Sequence, residues 1–278
     1  MNRLLAADFV RLFKNKVFWF CMAFMFALSA LLYIDTYILD RQFGEKSAVD
    51  NGNFYAYAIF IGIVLAAFIS LFVGTEYSNG TIRNKLATGH KRHEVYLANV
   101  IVCSVAGILM CLLYTLTSLI FGIFLMGFFE NDAATILYRL LCIFFMCIAF
   151  SAIFTLTAML NQSRSSVAVI NILAVIVVLL VSISITTKLD EPEVWDSYSY
   201  VTEDGEIVTE PAQPNPSYVR GMTREIYIFL SDFLPTGQSI QLTAVQTPSK
   251  SSYILYSAII AVAATGIGAA LFSRKNIA

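Results

Sequence analysis

Residues Val95 to Phe129 read VYLANVIVCSVAGILMCLLYTLTSLIFGIFLMGFF, 35 residues without a charged side chain. As one α-helix this stretch is about 52 Å long, against a bilayer core of about 30 Å. It is either one long, tilted or broken helix, or two spans with a hidden turn. Charge decides between them. Further apolar stretches mark spans at 17–34, 54–73, 134–160, 167–186 and 253–272. With six spans and the N-terminus inside, the inner segments carry eleven basic residues against only Asp8, Glu76 and Glu94, while the outer segments carry sixteen acidic and seven basic residues. Splitting 95–129 in two would move Arg164, Arg274 and Lys275 outside and the acidic 187–250 segment inside. That contradicts the positive-inside rule. The expected fold is an all-α polytopic membrane protein of six transmembrane helices, with a long third span and both termini cytoplasmic.

Composition points the same way. Of the 278 residues 58% are hydrophobic and 13% charged, about half the charged share of soluble domains. The alternating ten-residue strands of a membrane barrel do not occur. Cys21, Cys103, Cys111, Cys142 and Cys147 all lie in apolar stretches and indicate packing rather than a disulfide framework. The start of the chain is too long and too charged for the short leader of a cleavable signal peptide.

The segments between spans have their own patterns. Residues 1–16 are amphipathic: Leu5, Phe9, Leu12 and Phe13 form an apolar face, with Asp8, Arg11 and Lys14 opposite. This reads as an interfacial helix on the cytoplasmic side. The outer segment 187–250 falls into two parts. Around Asp204-Gly205 it is acidic, a loop or small hairpin. From Thr223 to Leu234 it reads as a helix capped by Thr223, stopped by Pro235 and Gly237, and resting on or re-entering the outer leaflet.

Several chemistries lack their residues. No Gly-Lys pair occurs, so the chain holds no P-loop. His90 and His93, the only histidines, share one basic loop, which leaves none inside the membrane to serve a nucleophile. No charged residue lies at mid-span, which argues against an ion-coupled transporter or a voltage sensor; Arg139, near a span end, can snorkel. Intramembrane polar residues glue helices together, and some of them could line a path for an amphipathic substrate. Ser70, Asn171 and Ser182 are the candidates.

An engine must then come from outside, and the 74–94 loop is where it would arrive. Asn79-Gly80 makes a turn, Ser78 or Asn79 can cap a helix running to Thr88, and Gly89 suits its C′ position. Ile82 and Leu86 form one apolar edge flanked by Arg83 and Lys85, a small docking face. An ordinary basic cytoplasmic loop would look similar.

The stretch Glu76-Tyr77…Gly80-Thr81-Ile82-Arg83-Asn84-Lys85…Gly89…Arg92 resembles the loop after the second span in membrane subunits of ABC-2 type exporters, in particular bacterial permeases of lantibiotic and peptide export or immunity systems. Arg11–Lys16 running into Phe18-Trp19 is similar to the family's connecting helix, and Leu234–Gln238 to its outer segment. The resemblance implies a bacterial plasma-membrane permease with no cofactor of its own. ATP and Mg would sit on a separate ATPase subunit. Two permease copies, identical or paralogous, would form the path, with 54–73 and 167–186 facing it. Asn79, Gly80, Thr81, Ile82, Arg83, Lys85 and Leu86 would belong to a coupling helix seated in the ATPase. The implied partners are that ATPase, the second permease, the bilayer and an amphipathic peptide or small molecule, with no nucleic acid. Two alternatives remain: an immunity or sensor protein that binds a toxic peptide without moving it, and a secondary transporter.

Overall fold

Asn15 divides the start of the chain into two helices. α1 (Asn2–Lys14) ends where Asn15 takes an extended backbone, and the Asn15 carboxamide accepts from the N–H groups of Val17 and Phe18 at 2.8 and 3.2 Å. It thereby caps α2 (Lys16–Phe43). α2 runs past the expected end at Ile34 and carries Asp35, Asp40 and Arg41 before Gly44 stops it at φ +73°. The computed structural model describes residues 1–161, 163–201, 207–244 and 250–275.

The second span is α3 (Gly52–Tyr55) followed by α4 (Tyr57–Ser78), and a short α5 (Thr81–Ala87) leads into α6 (Arg92–Leu125). α6 is one unbroken helix of 34 residues, about 51 Å long. It ends before Phe129, because Gly127 at φ +84° turns its N–H back to Gly122 O at 3.1 Å. This is a glycine C-cap, so residues 126–129 lie outside the helix. α7 (Ala133–Leu160) is capped by Asp132 and α8 (Arg164–Asp190) by Ser163. α4 packs against α2, α6, α7 and α8, and so lies at the centre of the bundle. Gly74 permits one of these contacts: a Cβ there would lie 2.4 Å from the Arg164 Cβ.

Four short strands follow: β1 (Val194–Trp195), β2 (Tyr198–Val201), β3 (Ile207–Glu210) and β4 (Gln213–Pro214). Val194 pairs with Pro214 and Val201 with Ile207, so β1–β2 and β3–β4 keep one register. They form a single interrupted hairpin. Its expected turn at Asp204-Gly205 lies outside the described residues.

The helix expected from Thr223 is α9 (Gly221–Phe233), which has no side-chain cap. Pro235 does not stop the chain's helices; it opens α10 (Pro235–Thr243) at the first helical position, where a missing N–H costs nothing. Gly237 lets the two helices meet, since a Cβ there would lie 2.3 Å from Ser231 O. α10 is the part that goes inward, packed between α4, α7 and α8 with Thr236, Gln238, Ser239 and Leu242 buried. α9 lies on the flank and leaves Met222, Ile226 and Phe229 uncovered. α11 (Ser252–Arg274) is the last span and lies along α7 and α6.

One buried carboxylate ties two loops together at the hairpin end of the bundle. Asp50 accepts from the N–H groups of Glu130 and Asn131 and from the Asn131 carboxamide, at 2.7, 2.8 and 2.7 Å. Burial pushes its carboxyl up, but these donors outweigh burial and hold it below the ordinary 3.8. Its contribution to stability is therefore present above pH 3.8 and is lost as pH falls through the lower, folded-state value. Asp50→Ala should destabilise the chain by about 2 kcal/mol, the scale of hydrogen bonds to a charged group. Thermal unfolding in detergent measures this, and the gap between variant and wild type should close in strong acid.

Candidate functional site: the loop after the second span

α4 continues beyond its apolar part through Gly74–Ser78 and ends at Asn79. Gly80 then adopts φ +64° and opens α5. A left-handed backbone at this point favours glycine. The caps expected from Ser78 or Asn79 are absent: Ser78 Oγ donates back to Thr75 O at 3.2 Å, and Asn79 is the last residue of the preceding turn. α5 is shorter than the expected 79–88. Thr88 Oγ1 donates to Lys85 O at 2.9 Å, and Gly89 follows at φ +90°.

The apolar edge read as a docking face points inward. Ile82 is 1% exposed and belongs to the core, and Leu86 is half-buried against it. Burial in the chain's own core satisfies these side chains without a partner. Lys85 is also engaged internally. The residues of the segment left exposed are Asn79, Arg83, Asn84, Ala87 and Thr88, with Gly80 and Thr81 half-covered.

Beneath α5 lies a cluster of four charges. Glu76, 1% exposed, takes ion pairs from both Arg11 and Lys85 on Oε1. Its Oε2 accepts from Asn99 Nδ2 at 2.9 Å. Lys85 Nζ also donates to Asp8 Oδ1 at 2.7 Å, and Arg11 reaches Asn99 Oδ1 at 3.4 Å. The Arg11 guanidinium stacks 4.0 Å from the centroid of the Phe72 ring. Two cations thus meet two carboxylates, and one carboxylate joins α1, α4, α5 and α6. This corrects the pattern read for α1, in which Asp8 opposed the apolar face. The buried face is Leu4, Asp8 and Leu12, and Phe13 points outward. Asp8 lies four residues from each of the buried Leu4 and Leu12, on the same helix face, and Lys85 meets it there.

Asp8 shows the cost of the arrangement. Burial first, and then the Glu76 charge, push its carboxyl above the ordinary 3.8, although Lys85 and Arg11 pull the other way. The geometry shows a real ion pair, but it does not fully offset desolvation. Buried charge clusters of this kind hold elements in one arrangement and break when a partner is removed. Among the described residues, no group of three or more His, Cys, Asp or Glu lies placed to hold a metal ion.

The three candidates for a substrate path lie inside the chain. Asn171 Nδ2 donates to Ser70 Oγ at 2.9 Å, and Thr157 Oγ1 donates to Asn171 Oδ1 at 2.8 Å, joining α8, α4 and α7. Ser182 and Thr236 hydroxyls lie 2.7 Å apart, joining α8 to α10. All three, the candidates for lining a path, are buried and bonded within the chain. Buried polar groups without water pair with each other.

The sequence names Glu76, Asp8 and Arg11 only as parts of a motif, a helix face and a charge tally, and does not bring them together; Asn99 is not singled out. A signal existed for two of them. Asp8 and Glu76 are two of the three acids on the side that the charge rule makes basic. An acid there that needs a buried cation is the exception worth noticing. Nothing marks Asn99 before folding.

Six apolar spans and an inter-span loop helix held against its neighbours define a polytopic helical membrane protein. Residues 4–181, from α1 into α8, match the model of the ABC-2 family transporter protein, and the chain belongs to that family. None of the curated proteins compared with the chain matches it. Members of the family are membrane components of transporters and generally work with an ATP-binding subunit.

Removing Glu76 leaves two cations facing one carboxylate. Glu76→Gln should cost about 3 kcal/mol, the scale for breaking a buried pair, and Glu76→Gln with Lys85→Met should recover part of that. Denaturation in detergent would show it; equal loss in single and double variants would deny the pairing. For Asp8 the sign is opposite to Asp50: its raised value means that stability is full below pH 3.8 and is lost as pH rises through the folded-state value. Asp8→Asn should therefore gain on wild type in detergent unfolding as pH rises from 3.8 through the folded-state value.

Proposed function

We propose that this chain is the membrane subunit of an ATP-driven exporter, powered by a separate ATPase that docks on the loop helix. The observation that carries the reading is the clamp at Glu76, which ties α5 to α1, α4 and α6 while α5 keeps Arg83, Asn84, Ala87 and Thr88 exposed. The docking surface is this polar, basic rim, with Asn79, Gly80 and Thr81 at its start. Ile82, Lys85 and Leu86 act from behind, as the grip that turns a push on the rim into motion of the spans. The positive-inside tally supports a cytoplasmic loop and termini, and the family resemblance supports a bacterial plasma membrane.

A second permease copy or paralogue completes the path in this reading. α8 presents an apolar stripe of Val169, Ile170, Leu173, Val177 and Leu180 that the chain itself leaves uncovered. α4 offers only a narrow, half-covered strip, Phe60, Ile63, Val64 and Ala67, to the same partner. The substrate is an amphipathic molecule, a peptide or drug-like compound, moved outward. The hairpin supports this class, with Tyr198, Val201 and Ile207 exposed among acidic residues.

The docking reading is tested by co-purification of the native ATP-binding subunit. Arg83→Glu combined with Asn84→Asp should lower its capture about tenfold, or about 1.4 kcal/mol, with the permease still monodisperse. Unchanged capture would remove α5 as the docking site. Ile82→Ala should act differently, destabilising the loop by about 3 kcal/mol as a core truncation.

A further inference from the structure

α11 is the least enclosed of the six span helices, and apart from Tyr96 OH, which donates to Ala264 O at 3.4 Å near its middle, its bonds to other elements lie at its two ends. At the hairpin end, Ser257 Oγ donates to Gln238 Oε1 at 2.7 Å, and Gln238 Nε2 donates to Tyr253 O at 3.4 Å. Tyr253 OH donates to Gln241 Oε1 at 2.5 Å. Gln238 and Ser257 are fully buried. Tyr256 adds edge contacts to Phe229 and Phe233, with ring centroids 6.0 and 5.6 Å apart. The first turns of α11 are therefore fastened to α9 and α10.

At the other end the same helix grips both flanks of the loop. Lys275 Nζ donates to Tyr77 OH at 3.0 Å and to Met159 O at 3.1 Å, and lies 4.4 Å from the centroid of the Tyr77 ring. Tyr77 directly follows Glu76. The Arg92 guanidinium, at the start of α6, donates to Lys275 O. One turn on, Tyr96 OH rests on Gly268, where a Cβ would lie 1.9 Å from the hydroxyl, and its ring faces Phe272 at 6.2 Å. Between these ends Leu255, Ile259, Val262 and Ile267 are uncovered.

We propose that α11 is a mechanical link between the 79–91 loop and the α9–α10 pair, with Lys275 and Gln238 as the positioning residues at its ends. The physical reason is that the bonds at each end are costly to leave unmade in apolar surroundings. A shift of either end therefore carries its partners along. The helix between them is a stiff rod of 23 residues, about 34 Å long, packed lengthwise on α7 and α6. That this link carries an ATPase's stroke rests on the proposed function; the link itself is tested on the chain alone, so the two readings fail separately.

The experiment is amide hydrogen exchange on the full chain in detergent, which reads local opening residue by residue. Gln238→Leu should speed exchange in residues 81–91 about fivefold or more, in line with measured long-range couplings. Ser182→Ala, which removes a buried bond between α8 and α10 without touching α11, should leave those amides unchanged. If Gln238→Leu does not fold, Ser257→Ala carries the same expectation. In the reverse direction, Lys275→Met should speed exchange in residues 235–243, and Lys275→Arg should hold it at the wild-type rate. Loop exchange unaffected by the Gln238 or Ser257 variant, or equally affected by Ser182→Ala, overturns the link. Equal effects of the Met and Arg variants remove Lys275 from it.

Discussion

The carboxylate of Glu76 is the constraint on which the loop end of this molecule depends. It is buried at the end of an apolar helix, where an uncompensated charge would be expensive, so Arg11 and Lys85 must reach it. Meeting that demand places α1 across the bundle, holds α5 against it and orients Asn99 on α6. Even the burial of Ile82 follows, because Lys85 cannot reach Glu76 unless this face of α5 turns inward. A loop that was otherwise free to move becomes part of the bundle.

The bundle itself is graded. α4 is enclosed by its neighbours, while α8 and α11 lie at the periphery with long apolar faces uncovered. In a bilayer such faces suit lipid tails and a partner helix alike, since the tails are as apolar as the side chains. Polar residues provide the specific contacts: the Ser70–Asn171–Thr157 group and the Ser182–Thr236 pair inside, and the Gln238 group under α10. The α9–α10 pair extends this frame towards the hairpin and gives α11 something to hold at that end.

Much of this was legible in the chain. The six spans, the unequal segment between the fifth and sixth, and the loop helix with its Gly80 and Gly89 all follow from apolar length, charge and glycine. What misled was local pattern. The Ile82–Leu86 edge has the spacing of a docking face, yet that spacing serves equally well to bury a helix in its own core. Pro235 carries the signal of a stop, but a proline suits the first turn of the next helix as well as it blocks the last. Asp8 reads as a surface residue by its charge, yet it lies one turn from both Leu4 and Leu12, so the helical phase that buries them carries it inside, where Lys85 meets it.

The sequence by itself determined the class and the number of spans, because both rest on a quantity that sums along the chain, apolar length against bilayer thickness. It also determined that the apolar 95–129 stretch holds one span helix rather than two, α6 ending at Leu125. Tertiary structure alone decided which way α5 faces, that polar residues expected along a path are bonded inside the fold, and that α11 holds both ends of the bundle. Those depend on pairs far apart in sequence, such as Arg11 with Glu76 or Tyr77 with Lys275. Their energy arises only when burial removes the water that would otherwise satisfy each partner alone.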